Sequence, residues 1–590
     1  MHRLSSLPGA DFDDAITLVE QPPAPVLLLS SAVTDLTALA HCLSRPEAVS
    51  WHNRIRALPL ASLGHPAQID HYLSVTAQDA QLIVVRLLGG RGHWSYGLDQ
   101  LQKWQQDRDH RHLVVLAGTP DQDDALHPLG SIPKVLSDQL AVLLREGGGE
   151  NLITLLKALD SVLLGKTQDP STLVPHCMPD PSPWQWEEAS GARVGVVLYR
   201  ALARSGDEAM AEALLKALRQ RGLVPRALWV SSLRDPVVQE GVLNLFEQQR
   251  VEVVITATSF ASVQFEQAGF GAPLWDQLDR PVLQVLSSSK PRSVWSNSSR
   301  GLDPLDLSLQ VVLPELDGRI TTRIGGFREV DLAHEGLATA VHTTVPDQLG
   351  LSWLAEHARA WVNLQQTAVE QRRVGLVLAN YPVRNGRLAN GVGLDTPASL
   401  LNVLTWMQDA GYTLGQEVLP ESSTALMASL LSSRTNDPES HHLPPLTHLP
   451  LSDYLNWWAT LPIAARETIE ARWGPAHQAL ELEEEGFPIH GLKLGHVCVL
   501  VQPSRGYDPD QLSDLHSPDL PPPHRYLAQY LWMRLVHGTQ MLVHLGKHGS
   551  AEWLPGKSVG LGEGCGPQLA LGPVPHVYPF IVNDPGEGSQ

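Results

Sequence analysis

The chain has 590 residues, enough for about four domains at roughly 100–200 residues each, and its 43% hydrophobic and 18% charged residues exclude a disordered chain. Lys and Arg number 43 against 63 Asp and Glu, a formal net charge of −20, which excludes the basic footprint of a general nucleic-acid binder and polybasic docking on anionic lipid. Cys42, Cys177, Cys498 and Cys565 stand too far apart for a Cys-x-x-Cys motif, the acidic N-terminus lacks a secretory apolar run, and no stretch reaches the ~18 apolar residues of a membrane span; the expectation is a soluble, cytoplasmic protein without a transmembrane segment.

In chain order, the first pattern is an apolar run at residues 25–30 (PVLLLS), followed by helical spacing through Leu36, Leu39, Ala40 and Leu43. Similar Val-rich runs recur at residues 82–88 (LIVVRLL), 113–117, 194–199 (VGVVLY), 227–230, 251–256, 282–286 and 374–379 (VGLVLA). Several end in Gly or Ser before a helical pattern. This alternation predicts an α/β fold of several parallel-sheet, Rossmann-like units in a multidomain chain, rather than a bundle or a sandwich. Residues 193–198 (RVGVVL) and 373–378 (RVGLVL) echo each other, and their second helices, predicted at 208–221 and 397–410, each end beside a glycine, Gly222 and Gly411. The five prolines in residues 170–183 predict a linker, and the polar, His-rich residues 432–450 a long surface loop. Residues 454–485 read as helical, with an acidic finish from Glu481 to Glu485 that opposes the helix dipole and is expected to be solvated or to have a cationic partner. The predicted division is 1–169, 184–365 and 366–590.

No nucleotide-binding loop is visible. Gly165-Lys166-Thr167 and Gly556-Lys557-Ser558 lack the earlier glycine of a phosphate loop, having Asp160 and Ala551 there. Any ATP the reaction needs is expected to be hydrolysed on another polypeptide. His334-Glu335 has Ala338 where a zinc-protease helix needs its second His, and neither Gly391-Val392-Gly393 nor Gly562-Glu563-Gly564 completes a dinucleotide fingerprint.

The densest constellation is residues 541–557, MLVHLGKHGSAEWLPGK. A buried strand runs into a Gly-x-x-Gly turn and stops at Pro555, so His544, His548 and Glu552 fall at or beside a strand's carboxyl end, where open α/β sheets bind ligands. Two imidazoles and a carboxylate can hold a borderline divalent ion such as Co²⁺ or accept protons. On the same residues, a histidine satisfying a backbone group and Glu552 pairing with Lys547 or Lys557 would be purely structural. Further polar loops lie at residues 502–506, 515–524 and 583–588, and loops on a rigid sheet are where binding residues concentrate.

At these residues the chain resembles the large subunits of the cobaltochelatase and magnesium chelatase family, nearest the cobaltochelatase (CobN) branch. The segments that carry the resemblance are ANYP (379–382), NGVGLDTPASL (390–400), VQPSRGYD (501–508), SPDLPPPHRYLAQYLWMR (517–534), HLGKHGSAEWLPGKSVGL (544–561) and VYPFIVNDPGEG (577–588), with RLLGGRGHW (86–94) similar to the family's N-terminal region. Leu545, Lys547, Trp553 and Leu554 favour the cobalt branch over the magnesium branch, while Ala551 departs from the usual Leu of both.

The resemblance implies a tetrapyrrole-binding catalytic subunit of an ATP-dependent cobaltochelatase, a ligase inserting Co²⁺ into a corrin precursor, hydrogenobyrinic acid a,c-diamide, in cobalamin biosynthesis, with AAA+ ATPase partner subunits hydrolysing the ATP. It makes Glu552, His548 and His544 the residues that accept protons or ligate the metal. Arg505, Lys547 and Lys557 would meet the macrocycle's carboxylates, and Trp553 or Tyr507 its face. The alternatives are a magnesium chelatase H-type subunit inserting Mg²⁺ into protoporphyrin IX, or a tetrapyrrole-binding module without turnover. Because such subunits run to roughly twice this length, the chain is expected to be a fragment or half of a split subunit, lacking the C-terminal part.

Overall fold

The Val-rich runs become the strands of three parallel sheets in the computed structural model, which describes residues 17–166, 168–263, 273–380, 384–391, 393–415, 419–506, 517–546 and 551–579. The first sheet contains Val26–Ser30 (β1), Ile55–Pro59 (β2), Leu82–Leu87 (β3) and His112–Ala117 (β4), all parallel, in the order β2-β1-β3-β4. The second contains Ser182–Trp184 (β5), Arg193–Tyr199 (β6), Val224–Val230 (β7), Val253–Thr256 (β8), Val282–Ser288 (β9), Ile320–His334 (β10) and Thr339–Pro346 (β11). Its order is β11-β10-β9-β8-β6-β7-β5, with the edge strands β5 and β11 antiparallel to a parallel centre.

The third sheet begins with Val374–Leu378 (β12). After a two-stranded ribbon of Thr447–Leu449 (β13) and Phe487–Ile489 (β14), it continues through Gly491–Leu494 (β15), Val497–Val501 (β16), Met541–Leu545 (β17) and His576–Val577 (β18). Its order is β15-β16-β12-β17-β18, with β15 alone antiparallel.

The strands are continuous apolar runs because both faces of each sheet are covered. Along β1, Val26 and Leu28 enter one core while Leu27 and Leu29 enter the opposite one. Likewise Val196 and Val197 of β6 face opposite cores, as do Leu376 and Val377 of β12. The sequence echo at residues 193–198 and 373–378 has an architectural meaning: β6 and β12 each open the parallel part of their sheet and end up flanked on both sides. Each carries a glycine under a large side chain, Gly195 beneath Phe246 and Gly375 beneath Met533. The two predicted second helices are Ala209–Gln220 and Thr396–Asp409.

Three sequence expectations change. The Pro-rich stretch is anchored rather than a free linker: Leu173 enters the first core, Asn151 bonds both the N–H and the carbonyl of His176, and β5 pairs with β7. Within residues 432–450, Thr435, Asn436, Asp437 and Ser440 are buried, their polar atoms satisfied by one another and by Asn385 and Gln502. Residues 454–485 do not form one helix; Leu451–Trp458 and Ile463–Trp473 are followed by turns, and Glu483 pairs with Arg434 and His448 while Glu484 and Glu485 are exposed. Among the described residues no helix is long and apolar enough to cross a membrane.

The first two sheets share material, because the β10–β11 hairpin sends Leu337 and Val341 into the first core and Gln21 donates to the Leu337 carbonyl. Within the second unit Asp317 and Arg319 form a fully buried ion pair at 2.7 Å, and Asp317 also accepts from Ser262 N–H and Oγ. Asp317→Ala is expected to cost about 3–5 kcal/mol in urea unfolding, because it leaves a buried guanidinium uncompensated; an unchanged midpoint would contradict this.

Candidate functional site

The third sheet has a topological switch point at β12. The chain leaves β12, returns on one side as β16 and then crosses to the other side as β17, so the crevice beyond the carboxyl end of β12 is the place where such sheets bind ligands. Backbone bonds lock this edge, Gln502 N–H to Leu378 O at 2.8 Å and Ala379 N–H to Leu545 O at 3.0 Å. Gly546 adopts φ +143° directly against the Ala379 methyl, so a side chain there would be excluded.

His544, the penultimate residue of β17, is 5% exposed. Its Nε2 lies 3.0 Å from the Tyr530 hydroxyl, which accepts a bond from Gln502 Nε2 at 2.9 Å. The network continues through Asn436 Nδ2, which donates to the Gln502 carbonyl, to Arg525, which donates to Asn436 Oδ1 at 2.6 Å and His490 Nδ1 at 2.7 Å. Helix His524–Trp532, buried at every position, supplies Arg525, Tyr526 and Tyr530 to it. Tyr530 therefore engages one imidazole nitrogen of His544, and in the tautomer whose Nε2–H donates to the hydroxyl the Nδ1 lone pair is the one left to ligate. Burial pushes the His544 pKa down to about 3 and that of His490, beside the Arg525 cation, to about 2. His544 is thus a neutral imidazole at physiological pH, suited to ligating a metal and unsuited to taking up protons. Asn380, just beyond β12, is buried with its Oδ1 unpartnered among the described residues.

The other expected site residues fall as follows. His548, Lys547 and Tyr507 lie outside the described residues, and for Glu552 only the backbone is described, in the single turn Ala551–Trp553. Trp553 is half-buried. Arg505 is fully buried and donates to the carbonyls of Ser517 at 3.1 Å and Leu520 at 2.9 Å, which supports the 517–520 turn. Lys557 donates to the carbonyls of Trp295, Ser296 and Ser298 and so docks the motif loop on the second unit. Ser558 and Val559 N–H bond Ser299 and Arg300 carbonyls, and Gly301, at φ +84°, accepts the close approach of Val559.

This docking creates a cleft of about 1160 Å³ between the second and third units, generous against the roughly 300–1,000 Å³ of small-molecule sites. The motif residues 555–557 and 561–566 form part of its wall, so the segment that begins at His544 connects the sheet edge with the cleft. Sequence reading missed the rest of the lining: Arg292, Trp295, Arg323 and Trp353 from the second unit, and Trp457, Arg466 and Arg534 from the third. Arg292 pairs with Asp347 at 2.9 Å and Glu356 with Arg221. The only sequence signal for the tryptophans is their number, 16 against 8 Phe.

A family model described as CobN/Magnesium Chelatase matches residues 142–590. The whole chain is 36% identical to the aerobic cobaltochelatase subunit CobN of Sinorhizobium sp, covering 47% of that protein, and 36% identical to that of Pseudomonas aeruginosa, covering 48%. The chloroplastic magnesium-chelatase subunit ChlH of Oryza sativa subsp. indica is 26% identical over 67% of the chain and 28% of that protein. Among solved structures, the catalytic subunit of cobaltochelatase from Mycobacterium tuberculosis superposes with a TM-score of 0.71 at 31% identity, over 96% of this chain and 46% of that one. The chain spans about half the length of the curated cobaltochelatase relatives it matches.

Proposed function

The chain belongs to the CobN/magnesium chelatase family, and from that premise we propose that it carries the tetrapyrrole-binding part of the large subunit of an ATP-dependent cobaltochelatase, working in the cytoplasm in cobalamin biosynthesis. The observation that carries the reading is the motif segment at residues 544–561, which ties a neutral buried imidazole at a sheet switch point to a cleft large enough for a macrocycle. Cobalt is preferred over magnesium because the cobaltochelatase relatives align with the whole chain at higher identity than the magnesium-chelatase relative.

Metal insertion into a free-base macrocycle forms metal–nitrogen bonds and displaces the ring N–H protons, one for a corrin and two for a porphyrin, while the incoming Co²⁺, the substrate ion, sheds water. A neutral ligand and a proton acceptor divide that work. We assign the ligand role to His544 through Nδ1, with His548 beside it in sequence, and the proton-accepting role to Glu552, whose carboxylate also offers the metal an oxygen. Trp553, Lys557, Lys547 and Tyr507 are placed at the macrocycle, with Arg505 supporting the loop that follows β16. ATP is assigned to AAA+ partner subunits.

The test is a reconstituted insertion assay with the AAA+ subunits and ATP, offering Co²⁺ with a corrin precursor or Mg²⁺ with protoporphyrin IX. Cobalt insertion that depends on this chain is the expected result. Turnover only with magnesium and protoporphyrin would overturn the cobalt reading, and binding without turnover of either would leave a non-catalytic tetrapyrrole module.

A further inference from the structure

Although the chain is strongly acidic, with 63 Asp and Glu against 43 Lys and Arg, four cations on the cleft wall, Arg323, Arg466, Arg534 and Lys557, have no carboxylate within ion-pair distance among the described residues, and three of them lie over tryptophans. Lys557 lies 4.6 Å from the Trp295 ring centroid, Arg323 4.8 Å from that of Trp353, and Arg534 5.6 Å from that of Trp457. Their hydrogen bonds go to backbone carbonyls: Arg323 to Leu561, Arg534 to Leu569, Lys557 to residues 295–298. Glu563 and Asp347 act on Arg323 only from beyond contact. Arg323 is 5% exposed, and the Arg534 Nε is buried without a partner among the described residues. Desolvating a guanidinium is costly, and a protein that wanted only a structural cation would normally pair it. Here indole faces and carbonyls hold each cation in place and leave its charge for something else. Three cations on three tryptophans around one large cleft suit a broad, flat ligand with negatively charged substituents at its rim.

We infer that Arg323 and Arg534 read the peripheral carboxylates of the tetrapyrrole in this cleft, so that the chain selects a polyanionic macrocycle over its esterified form. The inference rests on the tetrapyrrole reading above and deepens it by naming residues that fix substrate class. The measurement is fluorescence quenching of the whole chain titrated with a carboxylate-bearing corrin precursor and, separately, with the methyl ester of the same compound. The wild type is expected to bind the acid at least tenfold more tightly than the ester, and its affinity for the acid alone is expected to fall as KCl rises. Arg534→Gln and Arg323→Gln should each weaken acid binding about five- to tenfold and leave ester binding within twofold, with Arg534→Lys closer to wild type. Equal affinity of the wild type for acid and ester, without salt dependence, overturns the inference while leaving the tetrapyrrole reading intact. Equal weakening of both ligands by Arg534→Gln also overturns it, by making the arginine structural. Binding of neither compound by the wild type overturns both readings. The wild-type comparisons hold even if an arginine variant fails to fold.

Discussion

Replacing Glu552 by Gln is expected to lower cobalt insertion by the complete complex 100-fold or more while leaving macrocycle affinity within about twofold. Burial holds the His544 imidazole neutral, with a pKa of about 3, so it cannot take up a ring N–H proton near neutrality. The turn that carries Glu552 is fixed at both ends, by buried Ala551 on one side and buried Leu554 on the other, and lies between the sheet edge at Gly546 and the cleft wall at Pro555. A carboxylate there accepts protons where an amide of the same size cannot. Unchanged insertion would sink the assignment, and a parallel loss of macrocycle binding would give Glu552 a binding role instead.

Acidification from pH 7 to 5 is expected to destabilise the fold by several kcal/mol. Burial lowers the pKa of His357 to about 4, His490 to about 2, His537 to about 4 and His544 to about 3. In the unfolded chain these imidazoles titrate near 6.5, so between that value and the folded one the unfolded state binds the extra proton. The stabilisation is complete above pH 6.5 and is lost as pH falls toward the folded values. Each histidine then forfeits about 2 kcal/mol by pH 5, and four together approach the roughly 5–15 kcal/mol that holds a domain folded. Urea midpoints at pH 7.5, 6 and 5 test this. A midpoint independent of pH across that range would contradict it.

The sheets were legible because a strand covered on both faces writes itself as a mostly apolar, Val- and Leu-rich run, as β1, β3, β4, β6, β9, β12 and β17 do despite single interruptions such as Arg86, Gln284 and His544. The β10–β11 hairpin was not, since its apolar contacts lie partly in another unit's core and its own alternation is irregular. Thr435, Asn436, Asp437 and Ser440 read as surface because they are polar, yet they are buried around Asn385, Gln502 and Arg525, partners found only once the chain has folded. At the site, His544 could be placed from its strand and the glycine after it. The docking of Lys557 could not be read locally, because the carbonyls it bonds belong to residues 295–298. Arg323 and Arg534 are separated by more than 200 positions, and nothing local marks either as facing a shared cleft.

Binding of a corrin-type tetrapyrrole is tested most directly by a quenching titration of the intact chain with a corrin precursor and with protoporphyrin IX, before any partner or ATP is added. Saturable quenching by both is expected, tighter for the corrin precursor. Quenching by neither, or tighter binding of the porphyrin, would contradict it.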